Sequence, residues 1–279
     1  MLDKKASMEL KYIDTHAHLN LEQFAEDREA VFLKCAEERV GMNNVGTHKA
    51  TSKLAVELAN KYENAWAIVG LHPIYVAMGR ANDEEKGYEK EFDYDFYKVL
   101  GEDKRTVGIG ECGFDYWHNS DDTYEQQREV FIAQVALANE VGKPLMLHLR
   151  NSKNGQGRNA YDDALEILKS EAKVLGNSHF YAGTIEQAQK FFDIGYTISF
   201  TGVITFAQAA YEELVKFAPL DMIHGETDCP YVAPVPYRGQ RAEPWMVQEV
   251  YKKIAEYKQT DEEVVREQLM MNAQRLYSI

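Results

Sequence analysis

Tyr12-Ile13-Asp14-Thr15-His16-Ala17-His18 begins as an apolar, β-prone run and ends in side chains able to hold a metal. Seven further runs of strand character follow it: Met42–Thr47, Ala65–Leu71, Thr106–Gly110, Pro144–His148, Ser178–Tyr181, Tyr196–Phe200 and Met222–Glu226, with the first strand over Tyr12–His16. Amphipathic segments separate them: Gln23–Arg39, Ser52–Tyr62, Tyr124–Val141, Ala160–Leu175, Ile185–Ile194 and Ala207–Ala218. Two more helices, Glu243–Tyr257 and Asp261–Leu276, end the chain. Strands alternating with helices imply a parallel sheet, because each crossover must return to the same edge. Eight such units fit closure, so the reading is α/β: a single (β/α)8 TIM barrel with an additional C-terminal helix. A doubly wound open sheet is the rival. No linker or internal repeat divides residues 1–279, which are read as one barrel domain of the usual barrel length.

Composition narrows the function. The formal net charge is −14, whereas a surface that grips long DNA is usually basic. A polyanionic substrate must then be met locally, by cations and a few arginines. No apolar run approaches the roughly 20 residues that span a bilayer, and Met1–Lys11 lacks the apolar stretch of a secretion signal. Cys35, Cys112 and Cys229 have no C-x-x-C spacing and read as reduced thiols, hence a cytoplasmic protein. No obligate protein partner is evident. Met78–Asp95 is the least regular stretch, either a solvated surface loop or a lid over the pocket.

The chemistry gathers at the C-terminal ends of the strands. Alternation places Asp14, His16 and His18 on one face of the first strand, the inside of a barrel. Glu111 follows the apolar Val107-Gly108-Ile109-Gly110, where a lone carboxylate is costly without a cation, and its two oxygens suit a bridge between two metals. His148 and Arg150 share a face of the fifth strand, His179 belongs to the sixth, and Asp228 ends the eighth before Cys229-Pro230. His16, His18, Glu111, His148, His179 and Asp228 are mixed nitrogen and oxygen donors without cysteine. Such a set suits Zn, Mn, Fe or Co and accepts Mg. Six ligands exceed what one open catalytic ion needs, so two divalent ions are expected. His72 in Gly70-Leu71-His72-Pro73 is either substrate-binding or structural, His224 is a barrel-core or supporting residue, and His48 and His118 are loop residues without an assigned role. Cys112 is expected to point to the helix layer.

The ordered motifs resemble the TatD family of metal-dependent hydrolases, TatD-related deoxyribonucleases among the amidohydrolase-like barrels. They are Asp14-Thr15-His16-Ala17-His18, Gly70-Leu71-His72-Pro73, Gly110-Glu111-Cys112-Gly113-Phe114-Asp115-Tyr116, His148-Leu149-Arg150, His179-Phe180-Tyr181-Ala182-Gly183, Glu226-Thr227-Asp228-Cys229-Pro230 and Arg238-Gly239, with Asn272-Ala273-Gln274-Arg275-Leu276 at the end. The resemblance implies that His16, His18, Glu111 and Asp228 hold one ion and Glu111, His148 and His179 the other. It also implies phosphodiester chemistry. Phe180, Tyr181 and Ala182 depart from the family's usual His-Cys-Phe-Ser-Gly, and Ala242 stands where an Asn is usual. These departures touch the substrate rather than the ligands.

The expected reaction is deoxyribonuclease or phosphodiesterase hydrolysis with a metal-activated water. Asp228 takes the proton, Glu111 bridges, and Arg150, His72 and Arg238 contact a DNA or other phosphodiester substrate. Arg241, Lys153 and Arg158 complete the candidate basic contacts. The alternative is an amide, lactone or aminoacyl ester hydrolase on the same site. A non-catalytic nucleic-acid binder would need a basic surface, and an intact ligand set that leaves room for water speaks against a purely structural metal site.

Overall fold

A computed structural model describes residues 9–77, 91–119, 121–153 and 155–279. The Met78–Asp95 reading falls mostly outside these residues. Eight strands form one all-parallel sheet in sequence order: β1 (Tyr12–Ala17), β2 (Val40–Val45), β3 (Ala65–Val69), β4 (Thr106–Asp115), β5 (Leu145–Arg150), β6 (Gly176–Ser178), β7 (Thr197–Phe200) and β8 (Ile223–Gly225). The sheet closes on itself just past β8. Ala17 bridges Cys229, the Asp228 N–H donates to the His16 carbonyl at 2.9 Å, and the His18 N–H donates to the Cys229 carbonyl at 3.0 Å. The architecture is therefore a (β/α)8 barrel, as the alternation predicts, and the open sheet is excluded.

The helices are α1 (Arg28–Glu37), α2 (Lys49–Lys61), α3 (Pro73–Ala77), α4 (Tyr94–Gly101), α5 (Tyr124–Val141), α6 (Ala160–Glu171), α7 (Ile185–Asp193), α8 (Gln208–Phe217), α9 (Val247–Lys258) and the additional α10 (Glu262–Tyr277). Their ends follow local chemistry. Asn159 caps α6 by accepting from the Tyr161 and Asp162 amides, and Thr184 and Gln187 cap each other's amides at α7. Gly142, at φ 66°, lets α5 stop where the apolar pattern stops. The first amphipathic segment is shorter than its pattern suggests. A 3-10 turn at Glu22–Phe24 precedes α1, and Arg28 donates to the Leu19 and Leu21 carbonyls there.

Apolar side chains pack in two places. The larger core lies between strands and helices and includes Cys112, as expected. The smaller one joins Ile13, Val45, Ile68, Val107 and Met146 to Met270, Ala273 and Tyr277 of α10. Among the described residues, no helix is long and apolar enough to cross a membrane.

Two departures from the sequence reading shape the site. The sixth strand pairs through Gly176-Asn177-Ser178 rather than Ser178–Tyr181. Phe180 and Tyr181 carry more strand propensity, but Phe180 sits at φ 44°, which ends the regular ladder, although the His179 and Tyr181 amides still donate to Leu147 and Ser199. The β1–β2 register shifts between Asp14 and Ala17. That irregularity breaks strict alternation, so Asp14 does not share the face of His16 and His18. Its carboxylate accepts from the Thr227 amide at 2.9 Å, the Thr227 hydroxyl at 2.5 Å and the His16 amide at 3.2 Å.

Candidate metal centre

Six residues from five strands and strand ends converge inside the barrel mouth. β1 delivers His16, and the residue past its end is His18. Their Nε2 atoms lie 3.0 Å apart. Two neutral imidazole lone pairs aimed at each other repel unless a proton or a cation lies between them. Glu111 Oε2 is 3.5 Å from His16 Nε2 and 3.8 Å from His18 Nε2; Asp228 Oδ1 is 3.8 and 3.4 Å from the same atoms. The other Glu111 oxygen, Oε1, lies 2.8 Å from His148 Nδ1, 2.8 Å from His179 Nε2 and 3.2 Å from His72 Nε2. One carboxylate thus faces two groups of imidazoles with its two oxygens, the geometry its sequence position suggests.

Backbone irregularity delivers Glu111. The β4–β5 register shifts between Gly110 and Cys112, and the Glu111 amide donates to Gly46 at 3.3 Å instead of to a neighbouring strand in register. Gly110 is required beside it: at φ 150°, a Cβ there would lie 2.4 Å from the Met146 carbonyl oxygen. Asp228 is also held off the ladder, at φ 54°, a region Asp tolerates better than most residues.

Hydrogen bonds on the far side of each ring set which nitrogen faces inward. His18 Nδ1 is 2.8 Å from the Val45 carbonyl and must donate to it, which leaves the Nε2 lone pair for the centre. His148 Nε2 donates to Asp115 Oδ2 at 2.9 Å, which frees Nδ1. His179 turns Nδ1 towards Glu226, 3.5 Å away, and Nε2 inward. His72 is wired the opposite way. Its Nδ1 accepts the Ile74 amide at 2.9 Å, so the neutral ring carries its proton on Nε2 and donates to Glu111. That wiring suits His72 to be a donor at the pocket wall, although its ring also lies with Glu111 and His148 in a group whose donor atoms could hold a metal.

The electrostatics ask for positive charge. Burial raises the Glu111 pKa, but the rings of His72, His179, His16 and His148 override it and hold it well below the usual range. Burial likewise works against Asp228, and His18, His16 and His179 leave it lowered. Burial lowers His18 and His179, yet Asp228 and Glu111 raise the first, and Glu111 with Glu226 raises the second. His16 remains lowered, chiefly by burial. Ionised carboxylates among buried imidazole nitrogens form the donor set that binds divalent cations of borderline softness. The donor atoms of His16, His18 and Glu111 lie within 4.8 Å of one another, as do those of His16, His179 and Asp228. The residues fit a metal.

A cavity of about 830 Å³ opens above the cluster. Arg150 and Trp117 are on its wall, with the guanidinium 4.6 Å from the ring centroid. Arg238 is not brought in. It lies over Phe206 and donates to the Ala233 carbonyl at 2.9 Å, outside the cavity lining. Arg241 is held by Asp27 and Glu243, and Arg158 by Asp163. His224 belongs to the barrel core, 3.0 Å from the Thr197 hydroxyl. The sequence reading gave no role to three groups that support the centre: Asp115, Glu226 and His118. Glu226 accepts from the Phe180 amide and the Ser199 hydroxyl, both at 2.6 Å. Its place in Glu226-Thr227-Asp228 was the available signal.

The barrel and its buried His and carboxylate cluster define a metal-dependent hydrolase of the (β/α)8 class. Residues 13–278 match the family described as TatD related DNase, and the chain belongs to that family. It is 36% identical over 271 residues to an uncharacterized metal-dependent hydrolase, YabD, of Bacillus subtilis, covering 95% of this chain and 98% of that one. It is 29% identical over 276 residues to the 3'-5' ssDNA/RNA exonuclease TatD of Pantoea ananatis, covering 95% and 99%. The crystal structure of YJJV, a TatD homolog from Escherichia coli, has the same fold, with a TM-score of 0.80 at 24% identity, covering 96% of this chain and 98% of that one.

Proposed function

We propose that this chain, acting as one domain in the cytoplasm, hydrolyses phosphodiester bonds in nucleic-acid strands, using two divalent ions. His16, His18, Glu111 and Asp228 would hold one ion and Glu111, His148 and His179 the other. The observation that carries the reading is Glu111, whose two oxygens face separate imidazole groups at the base of one open cavity. Bound divalent ions supply Lewis acidity there, acidifying water and offsetting phosphoryl charge.

The chain's own residues do the rest. Asp228, ionised and at the rim of the cluster, orients the attacking water and accepts its proton. The His72 Nε2–H is a donor for a phosphoryl oxygen that approaches Glu111. Arg150 offers a planar cation at the cavity wall, fixed against Trp117, where a second phosphate would pass. The exposed aromatic faces of Trp117 and Tyr231 at the same mouth suit unpaired bases, which stack on any π surface. An acidic protein with a local basic and aromatic mouth fits a strand end better than a long duplex. Arg238 is left as a contact for substrate extending beyond the cavity.

The test is a substrate panel on metal-reconstituted protein, with single-stranded DNA and RNA beside amides, lactones and aminoacyl esters. Hydrolysis of the strands should vanish with chelator and return with a divalent ion. Asp228→Asn, with metal occupancy verified, should lower kcat at least ~10²-fold while the protein stays folded. Cleavage of the carbonyl substrates alone would replace the phosphodiester reading. Near wild-type kcat in fully metallated Asp228→Asn would remove the base assignment.

A further inference from the structure

Asp115 is a buried carboxylate outside the groups of donor atoms that could hold a metal among the described residues, yet it organises the cavity mouth. Its Oδ1 accepts from the Trp117 amide at 2.9 Å and the His118 amide at 2.7 Å. Its Oδ2 lies 2.9 Å from His148 Nε2 and 2.8 Å from His118 Nδ1. Oδ1 takes the two amides, and Oδ2 accepts from both rings. His148 thereby turns Nδ1 to the metal cluster. His118 is left with Nε2 as its only free ring nitrogen. Its side chain is 37% exposed and lines the same cavity as Glu111 and Asp228.

Building on the phosphodiester reading, we infer that His118 is the general acid that protonates the leaving oxygen. The pairing is that of a carboxylate with an imidazole: the acid fixes the tautomer and steadies the imidazolium, and the outward nitrogen handles the proton. In the step, water oxygen bonds to phosphorus and its proton passes to Asp228. The P–O bond to the leaving sugar breaks, its electron pair stays on that oxygen, and the Nε2 proton of the His118 imidazolium moves onto it. His118 ends neutral, and solvent restores its proton through the open mouth. Asp115 is a positioning residue, coupling the orientation of a candidate ligand to that of the acid.

Leaving-group dependence tests this. An alkoxide departs slowly without a proton, whereas p-nitrophenolate departs without one. His118→Gln and His118→Asn, with thermal unfolding and metal content checked against wild type, are assayed on single-stranded DNA and on a p-nitrophenyl ester of a nucleotide. The expected result is a loss of about 10²-fold or more in kcat on DNA and only a few-fold on the p-nitrophenyl ester. Equal loss on both substrates, or no loss on either, overturns the acid role. If wild type cleaves neither phosphodiester but cleaves carbonyl substrates, the phosphodiester reading itself has failed. If either variant fails to fold, the other decides; if both do, wild type is compared across esters of graded leaving group. A steep rate dependence there, with no acid assistance, also overturns the role.

Discussion

Single side chains in this barrel act through the hydrogen bond on their far side. His18, His148 and His72 are the same residue type within a few ångströms of one carboxylate, yet Val45, Asp115 and Ile74 wire them differently. Two offer lone pairs and one offers a proton. Burial can also act against a histidine with no functional partner. Burial, seconded by the charge of Arg275, lowers the His224 pKa to about 3. Its unfolded value is about 6.5, so the unfolded chain binds the extra proton first as pH falls. Stability is therefore lost as pH drops below about 6.5, and the loss grows until about 3. Between about pH 7.5 and 5 this residue should cost about 2 kcal/mol. Urea unfolding of wild type and His224→Gln at both pH values measures it. The variant should have a shallower dependence by that amount, since every other histidine is common to both proteins. Parallel pH profiles would show that His224 is not the source.

At the scale of elements, irregularity positions the chemistry and regular packing supports it. The register shifts in β1 and β4 fall beside His16 and Glu111, and β6 ends before His179, so these three leave the regular ladder where they are needed, while His148 stays in register within β5. α10 does the opposite work. Met270, Ala273 and Tyr277 pack against Ile13, Val45, Ile68, Val107 and Met146, a core separate from the main one. Met270→Ala opens that contact and should cost about 2–5 kcal/mol, as large-to-small changes in cores do. Denaturant unfolding reads the loss. The turnover of folded protein should stay within about twofold of wild type, because α10 supplies none of the candidate site. A stability change under about 0.5 kcal/mol would mean the end of the barrel relaxes around the missing atoms.

For the whole molecule, charge and shape pull in different directions. A chain of formal charge −14 repels a polyanion at long range. The cavity mouth, where Arg150 and Lys153 lie 4.6 and 5.4 Å from the Trp117 ring centroid, counters that locally. Neither cation has a carboxylate within ion-pair distance among the described residues, unlike Arg158 and Arg241, which are committed to Asp163 and to Asp27 with Glu243. Arg150→Gln combined with Lys153→Gln should raise KM for single-stranded DNA several-fold and flatten its dependence on salt, with kcat little changed. An unchanged salt slope would remove this corner from the substrate path. Neutralising Arg241 should instead cost stability.

Much of this was legible in residue order alone. The eight strands, the alternating helices and the candidates His16, His18, Glu111, His148, His179 and Asp228 follow from local pattern, since side-chain period and burial cost act over a few residues. Barrel closure was implied by number. Strict alternation misplaced Asp14, because a bulge depends on the partner strand and not on local sequence. Strand propensity misplaced β6, because Phe180 takes a positive φ and lines the cavity while Tyr181 packs in the main core. His118 looked featureless because its meaning lies in a hydrogen bond to Asp115 that also reaches His148, 30 residues further along the chain. Residue types and their spacing determine which groups can bind a metal. The tertiary structure decides which nitrogen each ring turns inward, because that is set by partners from other strands, which no local pattern records.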